Sequence, residues 1–219
     1  MYRTILFDLD GTLTDSSEGI TKSIRYAFEH FGIEVTSLEE LRVYIGPPLR
    51  TEFMKRLGVD EERSAQLYAK FRERYTVTGW KENRPYPGIP ETLARLKEAG
   101  YRLAVATSKP ESTARRVLEY FDLTQYFDVI CGAGADGKDG EKWQIVSRAL
   151  KEMDAEGTKK AQAVMVGDRD LDILGGRKNG IDAIGLNIGF GSRRELEEAG
   201  AVYVAESAEE LADYLLSGA

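Results

Sequence analysis

Two aspartates separated by a single residue, Asp8 and Asp10, directly follow the short apolar run of residues 5–7. Side chains two positions apart on an extended backbone point the same way, so both carboxylates would lie on one side of the chain. Such a pair can coordinate a divalent metal ion, or it can divide into a nucleophile and a general acid/base. A solvent-exposed acidic turn after a strand has the same pattern, so the pair alone does not identify a reaction.

Two other polar segments also follow apolar runs. Thr107 and Ser108 come at the end of one run, where a hydroxyl and backbone N–H groups can bind an anionic oxygen at a helix N-terminus. Serine and threonine also cap helices for purely structural reasons. Asp168 and Asp172 lie in the segment GDRDLD after another run. Acids this close repel each other unless a cation neutralises them, although acids early in a helix also favour its dipole.

A lysine near these acids could neutralise charge on a phosphoryl group and on an attacking carboxylate. The segment 136–142 offers two, Lys138 and Lys142. We favour Lys142 because it opens an amphipathic helical pattern, and Lys138 stays open as the alternative.

The elements that must position these residues alternate along the chain. Apolar runs predict strands at residues 4–7, 102–106, 127–131, 163–166, 183–185 and 202–204. Helical patterns between them predict helices at residues 90–99, 112–121, 142–153, 171–179, 193–199 and 208–216. This alternation indicates a Rossmann-like α/β fold with a parallel sheet, and ligand sites in such sheets lie at the carboxyl ends of strands.

Residues 16–84 break the alternation, because their apolar positions recur at helical spacing and no strand is evident. The simplest account is a helical domain inserted after the first strand, with the chain returning at the proline-rich segment 84–88. We therefore predict a core of residues 1–15 and 85–219 and an inserted domain of residues 16–84. The aromatic residues of the insert are expected to be packing residues.

Composition limits the partners and the compartment. The chain has 219 residues with a formal net charge of −7, which argues against nucleic acid or an anionic membrane as a partner. Cys131 is the single cysteine, so no internal disulfide can form, as expected in a reducing cytoplasm. No segment has the length of a membrane span, and the N-terminus leads straight into a strand pattern without a signal peptide.

Together these segments resemble the haloacid dehalogenase (HAD) superfamily of phosphohydrolases over essentially the whole chain. DLDGTLTDS resembles its first motif, ATSK its second and GDRDLD its fourth, in the same order and at similar spacing. The lysine motif is the loosest match, because prolines that follow the lysine in many relatives are absent here. The insert resembles the α-helical (C1) cap of the subgroup that contains phosphoglycolate phosphatases, nucleotidases, pyrophosphatases and β-phosphoglucomutases.

The resemblance implies roles for the acidic residues. Asp8 would attack phosphorus and form an aspartyl-phosphate, while Asp10 would protonate the leaving oxygen and then activate water. Mg²⁺ would be the cofactor, bound by Asp8, by the backbone carbonyl of Asp10 and by Asp168. Asp172 would support these ligands through water or through Lys142.

The resemblance also implies a phosphate-binding set of Thr107, the Ser108 N–H group and Lys142. Arg50, which follows the cap segment IGPPL, is a candidate for binding a substrate carboxylate or a second phosphate. That segment is similar to the phosphoglycolate phosphatase and pyrophosphatase-like branch.

The expected activity is therefore Mg²⁺-dependent hydrolysis of a small phosphorylated metabolite, with phosphoglycolate as the nearest substrate type. A 5′-nucleotidase or pyrophosphatase is the alternative, followed by a phosphomutase and by a binding protein without catalysis. The sequence leaves open whether the chain is a monomer or a homodimer.

Overall fold

The computed structural model of this protein describes residues 1–134, 140–155 and 157–218. The strands in these residues are β1 Thr4–Phe7, β2 Thr14–Asp15, β3 Arg84–Pro85, β4 Arg102–Pro110, β5 Val129–Ala133, β6 Ala163–Gly167, β7 Asp182–Leu186 and β8 Tyr203–Ala205. The α-helices are α1 Ser17–His30, α2 Leu49–Leu57, α3 Glu61–Tyr75, α4 Ile89–Glu98, α5 Glu111–Tyr120, α6 Lys142–Glu152, α7 Asp170–Lys178, α8 Arg193–Ala199 and α9 Ala208–Leu216. Short 3₁₀ helices form at Glu39–Tyr44, Gly79–Lys81, Thr124–Tyr126 and Gly157–Gln162.

Six of the strands form one sheet in the order β5-β4-β1-β6-β7-β8, and every neighbouring pair is parallel. β1 lies between β4 and β6, and its residues Ile5, Leu6 and Phe7 are fully buried. A parallel strand covered on both faces needs a continuous apolar run rather than an alternating one, which is the pattern of β1. The predicted α/β fold with a parallel sheet is confirmed.

Successive side chains of β1 point to opposite faces of the sheet. Ile5 and Phe7 pack into the apolar layer that includes α4, α5 and α9, whereas Leu6 packs with α6 and α7. Both faces of the sheet are therefore covered, and the polar ends of the strands are left to form a site.

One strand is longer than predicted. β4 continues to Pro110, and its pairing with β5 shifts register between Thr107 and Pro110. A bulge of this kind bends a strand and re-aims its side chains. Thr107 and Ser108 therefore belong to a bulged strand end, and the helix α5 begins only at Glu111.

The insert is helical as predicted, with α1, α2, α3 and the 3₁₀ helix Glu39–Tyr44. Its aromatic core joins Phe28, Tyr44 and Phe53, whose ring centroids lie 5.6 to 5.7 Å apart. The two connections to the sheet region, β2 and β3, pair antiparallel with each other. The division into residues 16–84 and the remainder stays a prediction. None of the helices in the described residues is long and apolar enough to cross a membrane.

Candidate active site

The carboxyl ends of β1, β4 and β6 bring distant segments of the chain together. Asp8 follows β1, Thr107 lies in β4, and Asp168 follows β6. All three side chains are buried although they are polar, with 3%, 1% and 1% of their surface exposed. Buried polar groups need partners, so the contacts of these residues define what the site can do.

Asp8, Asp168 and Asp172 form a compact group of carboxylates, and their ligand oxygens lie within 4.8 Å of one another. Thr12 Oγ1 donates to one oxygen of Asp168 at 3.0 Å, and the backbone N–H of Phe190 donates to the other at 2.8 Å. These bonds hold the carboxylate in one orientation, as a metal ligand or a charge partner requires.

A tight turn lets Asp168 approach the end of β1. Gly11 has a φ of +91°, a conformation that side chains with a Cβ rarely adopt. A Cβ at this position would lie 2.3 Å from Oδ2 of Asp168, so the two motifs can meet only if residue 11 lacks a side chain. This close approach explains the glycine that follows the paired aspartates.

Lys142 lies between two of the carboxylates. Its Nζ is 2.8 Å from Oδ1 of Asp8 and 2.8 Å from Oδ1 of Asp172, and it donates to the carbonyl of Ala106 at 3.1 Å. Burial alone would lower the pKa of Lys142, but the charges of Asp172 and Asp8 raise it above its ordinary value. The lysine is therefore a permanent cation beside Asp8. Lys138, the alternative, lies outside the described residues.

Lys109 is a site residue to which the sequence analysis assigned no role. Its Nζ lies 2.7 and 2.6 Å from the two carboxylate oxygens of Asp10, and only 4% of the lysine side chain is exposed. The only sequence signal was its place in the ATSK segment, because an isolated lysine is usually a solvated surface residue. The bulge in β4 decides that this lysine points inward.

Ser108 lies beside this ion pair but uses its hydroxyl elsewhere. The Oγ of Ser108 donates to the carbonyl of Gly140 at 2.7 Å, which ties the end of β4 to the segment before α6. The predicted phosphate contact of Ser108 was through its backbone N–H group, so this hydrogen bond leaves that prediction open.

Arg50 is not brought to the site. Its guanidinium is 3.5 Å from Glu61, and its backbone carbonyl accepts a hydrogen bond from Ser64. These contacts direct the start of α2 toward α3, and Arg50 is absent from the residues that line the cavity described below. These contacts give no support to substrate binding by Arg50, which stays a prediction.

A cavity opens between the carboxylate site and the helical insert. Its floor includes Asp10, Ser108 and Lys109. Its walls include four aromatic side chains and one arginine of the insert, namely Tyr44, Tyr68, Phe71, Tyr75 and Arg72. A molecule bound in this cavity beside Asp10 would also contact the insert.

Burial changes the proton affinity of the acids. It raises the pKa of Asp8 to about 6, an effect that Lys142 opposes and the charges of Asp172 and Asp10 reinforce. Burial, followed by the charges of Asp172 and Asp8, also raises the pKa of Asp168 well above its ordinary value. Without a further cation, this group of acids therefore holds protons more tightly than isolated carboxylates do.

The residues fit a hard divalent cation. Carboxylate oxygens are the ligands that Mg²⁺ prefers, and three of them converge here. Among the residues that the structure describes, the carboxylates of Asp8, Asp168 and Asp172 share one ammonium group, that of Lys142. One divalent cation would balance the two negative charges that remain.

Mg²⁺ affinity is expected to increase with pH through about 6 if this group binds the ion, because protons on Asp8 and Asp168 compete with it. Below the raised pKa each bound ion must displace a proton, so affinity should fall by roughly tenfold per pH unit for each proton released. Calorimetric titration at several pH values, in buffers of different ionisation enthalpy, measures both the affinity and the proton release. An affinity independent of pH across this range would contradict the expectation.

The comparisons with known proteins agree with this geometry. The profile of the Haloacid dehalogenase-like hydrolase family matches residues 5–186. A 5′-nucleotidase from Pseudomonas aeruginosa is 44% identical over 195 residues, which cover 89% of this chain and 87% of that protein. A phosphoglycolate phosphatase from Aquifex aeolicus is 35% identical over 179 residues, covering 81% of each chain. The crystal structure of a predicted phosphatase from Clostridium acetobutylicum superposes with a TM-score of 0.95 and 42% identity, covering 99% of both chains.

Proposed function

This chain belongs to the haloacid dehalogenase-like hydrolases and is a phosphatase of that family, and from that premise we propose that it hydrolyses a small phosphate monoester with Mg²⁺ through an aspartyl-phosphate. The observation that carries the proposal is the position of Asp8. Its carboxylate is buried and lies 2.8 Å from the Lys142 ammonium, and its ligand oxygen is within 4.8 Å of those of Asp168 and Asp172.

The first half of the reaction transfers the phosphoryl group to the enzyme. An oxygen of Asp8 attacks phosphorus in line, the bond to the leaving oxygen breaks, and Asp10, which is protonated when substrate binds, delivers its proton to that oxygen. Phosphoryl transfer depends mainly on positioning and on neutralising charge. Lys142 supplies one fixed positive charge beside the attacking carboxylate, and Thr107 with the Ser108 N–H group offers hydrogen-bond donors to the phosphoryl oxygens.

The second half releases phosphate. Asp10, now ionised, accepts a proton from water as the water attacks phosphorus, and the bond between phosphorus and Asp8 breaks. Both residues return to their starting states, so no further reactant is needed.

Asp8, Asp168 and the backbone carbonyl of Asp10 would hold Mg²⁺, and Asp172 would orient Lys142 through their 2.8 Å contact. The bound ion would neutralise charge on the phosphoryl oxygens and on Asp8. The ion also accounts for the excess of carboxylates over lysines in this part of the site.

Asp10 favours phosphate over halide chemistry. A halide leaves without a proton, so a dehalogenase needs no acid at this position, whereas an alkoxide leaving group does. The presence of Asp10 beside Asp8 therefore supports ester hydrolysis.

The cavity distinguishes two candidate substrates. Phosphoglycolate is supported by the segment IGPPL and by the Aquifex aeolicus relative, but Arg50, the arginine expected to bind its carboxylate, is not among the residues that line the cavity. A nucleoside 5′-monophosphate is supported by the aromatic walls, since bases stack on aromatic side chains, and by the Pseudomonas aeruginosa relative. The geometry favours the second candidate.

Phosphate release with Mg²⁺ tests both parts of the proposal. The matched pair is a nucleoside 5′-monophosphate and ribose 5-phosphate, which share the reacting ester and differ only in the base. We expect kcat/KM to be about tenfold higher for the nucleotide, because stacking of a base contributes about 1–3 kcal/mol. Phosphoglycolate, pyrophosphate and a sugar 1-phosphate complete the panel, with isomerisation assayed on the last.

The outcomes separate the two levels of the proposal. Release from phosphoglycolate that exceeds release from nucleotides would overturn the substrate assignment and leave the chemistry intact. Absence of Mg²⁺-dependent release from every ester, or activity unchanged by a chelator, would overturn the proposed function itself.

A further inference from the structure

Lys109 forms a buried ion pair that the proposed reaction does not yet explain. The ammonium contacts both oxygens of Asp10, and the two side chains are 4% and 11% exposed. Burial alone would lower the pKa of Lys109, but the charge of Asp10, followed by Tyr75, raises it above its ordinary value. Separating the two charges of a buried ion pair would leave each of them unpaired, which costs a large amount of free energy. The ammonium therefore restrains the Asp10 carboxylate in one position.

The backbone around Lys109 is adapted to place it there. The register shift in β4 falls between Thr107 and Pro110, and it turns Lys109 toward the end of β1. Gly132 on β5 permits this path, because a Cβ at that position would lie 2.6 Å from the carbonyl oxygen of Lys109. Two neighbouring strands therefore contribute to the position of a single side chain.

The helical insert holds the other side of the lysine. Nζ of Lys109 lies over the ring of Tyr75 in α3, 5.1 Å from the ring centroid. Tyr75 itself stacks on Phe71 with the rings 5.0 Å apart and 16° from parallel. Only 5% of Tyr75 is exposed, so the contact between its ring and the lysine is buried.

We propose that Lys109 is a positioning residue for Asp10, and that the ring of Tyr75 keeps it in place when the insert covers the site. The inference rests on the proposed function, because it concerns the residue that protonates the leaving group. Lys109 does not react. It prevents Asp10 from rotating away from the leaving oxygen, and it does so fully only when α3 is docked over the site. The insert thereby contributes to catalysis as well as to substrate selection.

Leaving groups that differ in their need for a proton provide the test. An alkyl phosphate requires protonation of the alkoxide, whereas p-nitrophenolate leaves without a proton. For Lys109→Met we expect kcat/KM on an alkyl phosphate to fall on the order of 10²-fold, and kcat/KM on p-nitrophenyl phosphate to change less than about threefold.

The second half-reaction gives an independent signal. Hydrolysis of the aspartyl-phosphate needs Asp10 as a base, whichever ester supplied the phosphoryl group. Lys109→Met is therefore expected to release a burst of p-nitrophenolate and then to accumulate phosphoenzyme during turnover. A purely structural role for Lys109 would lower all rates together and would produce no burst.

A double-mutant cycle separates the effect of Lys109 on Asp10 from any effect of an unpaired buried charge on folding. In an Asp10→Asn background, the buried carboxylate charge is already gone, so adding Lys109→Met leaves no unpaired anion. If Lys109 acts through Asp10, the second substitution should have no further effect on kcat/KM. An additional loss in that background would show that Lys109 acts independently of Asp10, and it would overturn the proposal.

A Tyr75 variant tests the contribution of the insert. Tyr75→Leu removes the ring and should show the same leaving-group dependence as Lys109→Met. The chain offers a matched control, because Lys70 lies over Tyr26 at 4.9 Å on the insert and neither residue lines the cavity. Lys70→Met and Tyr26→Leu should leave both activities unchanged.

Failure of this inference is distinguishable from failure of the proposed function. The proposed function holds if the wild-type enzyme requires Asp8 and Mg²⁺. If Lys109→Met then loses activity equally on both esters, or on neither, only the role of Lys109 is refuted. Tyr75→Leu that matches wild type on both esters would refute the contribution of the insert.

Discussion

Asp8→Asn is expected to reduce Mg²⁺-dependent phosphate release by on the order of 10⁴-fold or more, because an amide cannot replace a carboxylate as the nucleophile. The amide is nearly the same size as the carboxylate, so the loss would reflect chemistry rather than packing. The substitution also removes one of the two carboxylate charges that contact Lys142 at 2.8 Å. Initial rates on the best ester of the panel measure the effect.

The intermediate offers a direct check of the same residue. Acid quenching during turnover, followed by mass spectrometry of peptides, should locate phosphate on Asp8 in the wild type and nowhere in the variant. Asp213→Asn is a suitable control, since Asp213 is exposed and pairs with Arg95 on the surface. Near-normal activity in Asp8→Asn would mean that Asp8 is not the nucleophile.

Lys142→Met is expected to have the second largest effect, and it should affect both activity and stability. Its ammonium contacts Asp8 and Asp172 in a site where all three side chains are at most 4% exposed. Removing one partner of a buried charge cluster typically costs about 3–5 kcal/mol of unfolding free energy. Phosphoryl transfer should fall by about 10³-fold as the fixed positive charge beside Asp8 is lost.

The stability loss should depend on pH in a defined direction. Burial raises the pKa of Asp8 to about 6 even with Lys142 present, and removal of the lysine can only raise it further. Below that pKa Asp8 is neutral, so the repulsion among the acids is smaller and the variant should lose less stability near pH 5 than near pH 8. Denaturant unfolding of the metal-free proteins at both pH values measures this difference.

Lys151→Met provides the control, because Lys151 is on the same helix and is exposed. It should leave both stability and activity within experimental error of the wild type. A Lys142→Met variant as stable as wild type at high pH would show that the lysine does not balance the buried acids.

Much of the fold could be predicted from the sequence, because strands and helices depend on local residue patterns. The apolar run of β1 predicts a strand buried on both faces, and the structure places it between β4 and β6. Helices such as α8 and α9 have the predicted bounds, since serine caps and nearby glycines mark their ends. The 3₁₀ helix Glu39–Tyr44 was less visible, because its apolar spacing also fits an α-helix.

The convergence of the acidic residues could also be predicted from the sequence. Asp8, Asp10 and Asp168 were selected because acids directly after apolar strands must meet at one edge of a parallel sheet. Once the strand order is fixed, these positions lie close together regardless of the conformation of the loops. Lys142 was selected on weaker grounds, and its contacts with Asp8 and Asp172 support that choice.

Only the tertiary structure shows where the long side chains of Lys109 and Arg50 point. Lys109 looks like a surface lysine until the bulge in β4 and the ring of Tyr75 turn it toward Asp10. Arg50 was predicted to bind substrate, and the folded chain places its guanidinium 3.5 Å from Glu61. A sequence determines which groups are present and which strand ends they follow. The direction of a long, flexible side chain is set by contacts with residues far away in the chain, and these exist only in the folded protein.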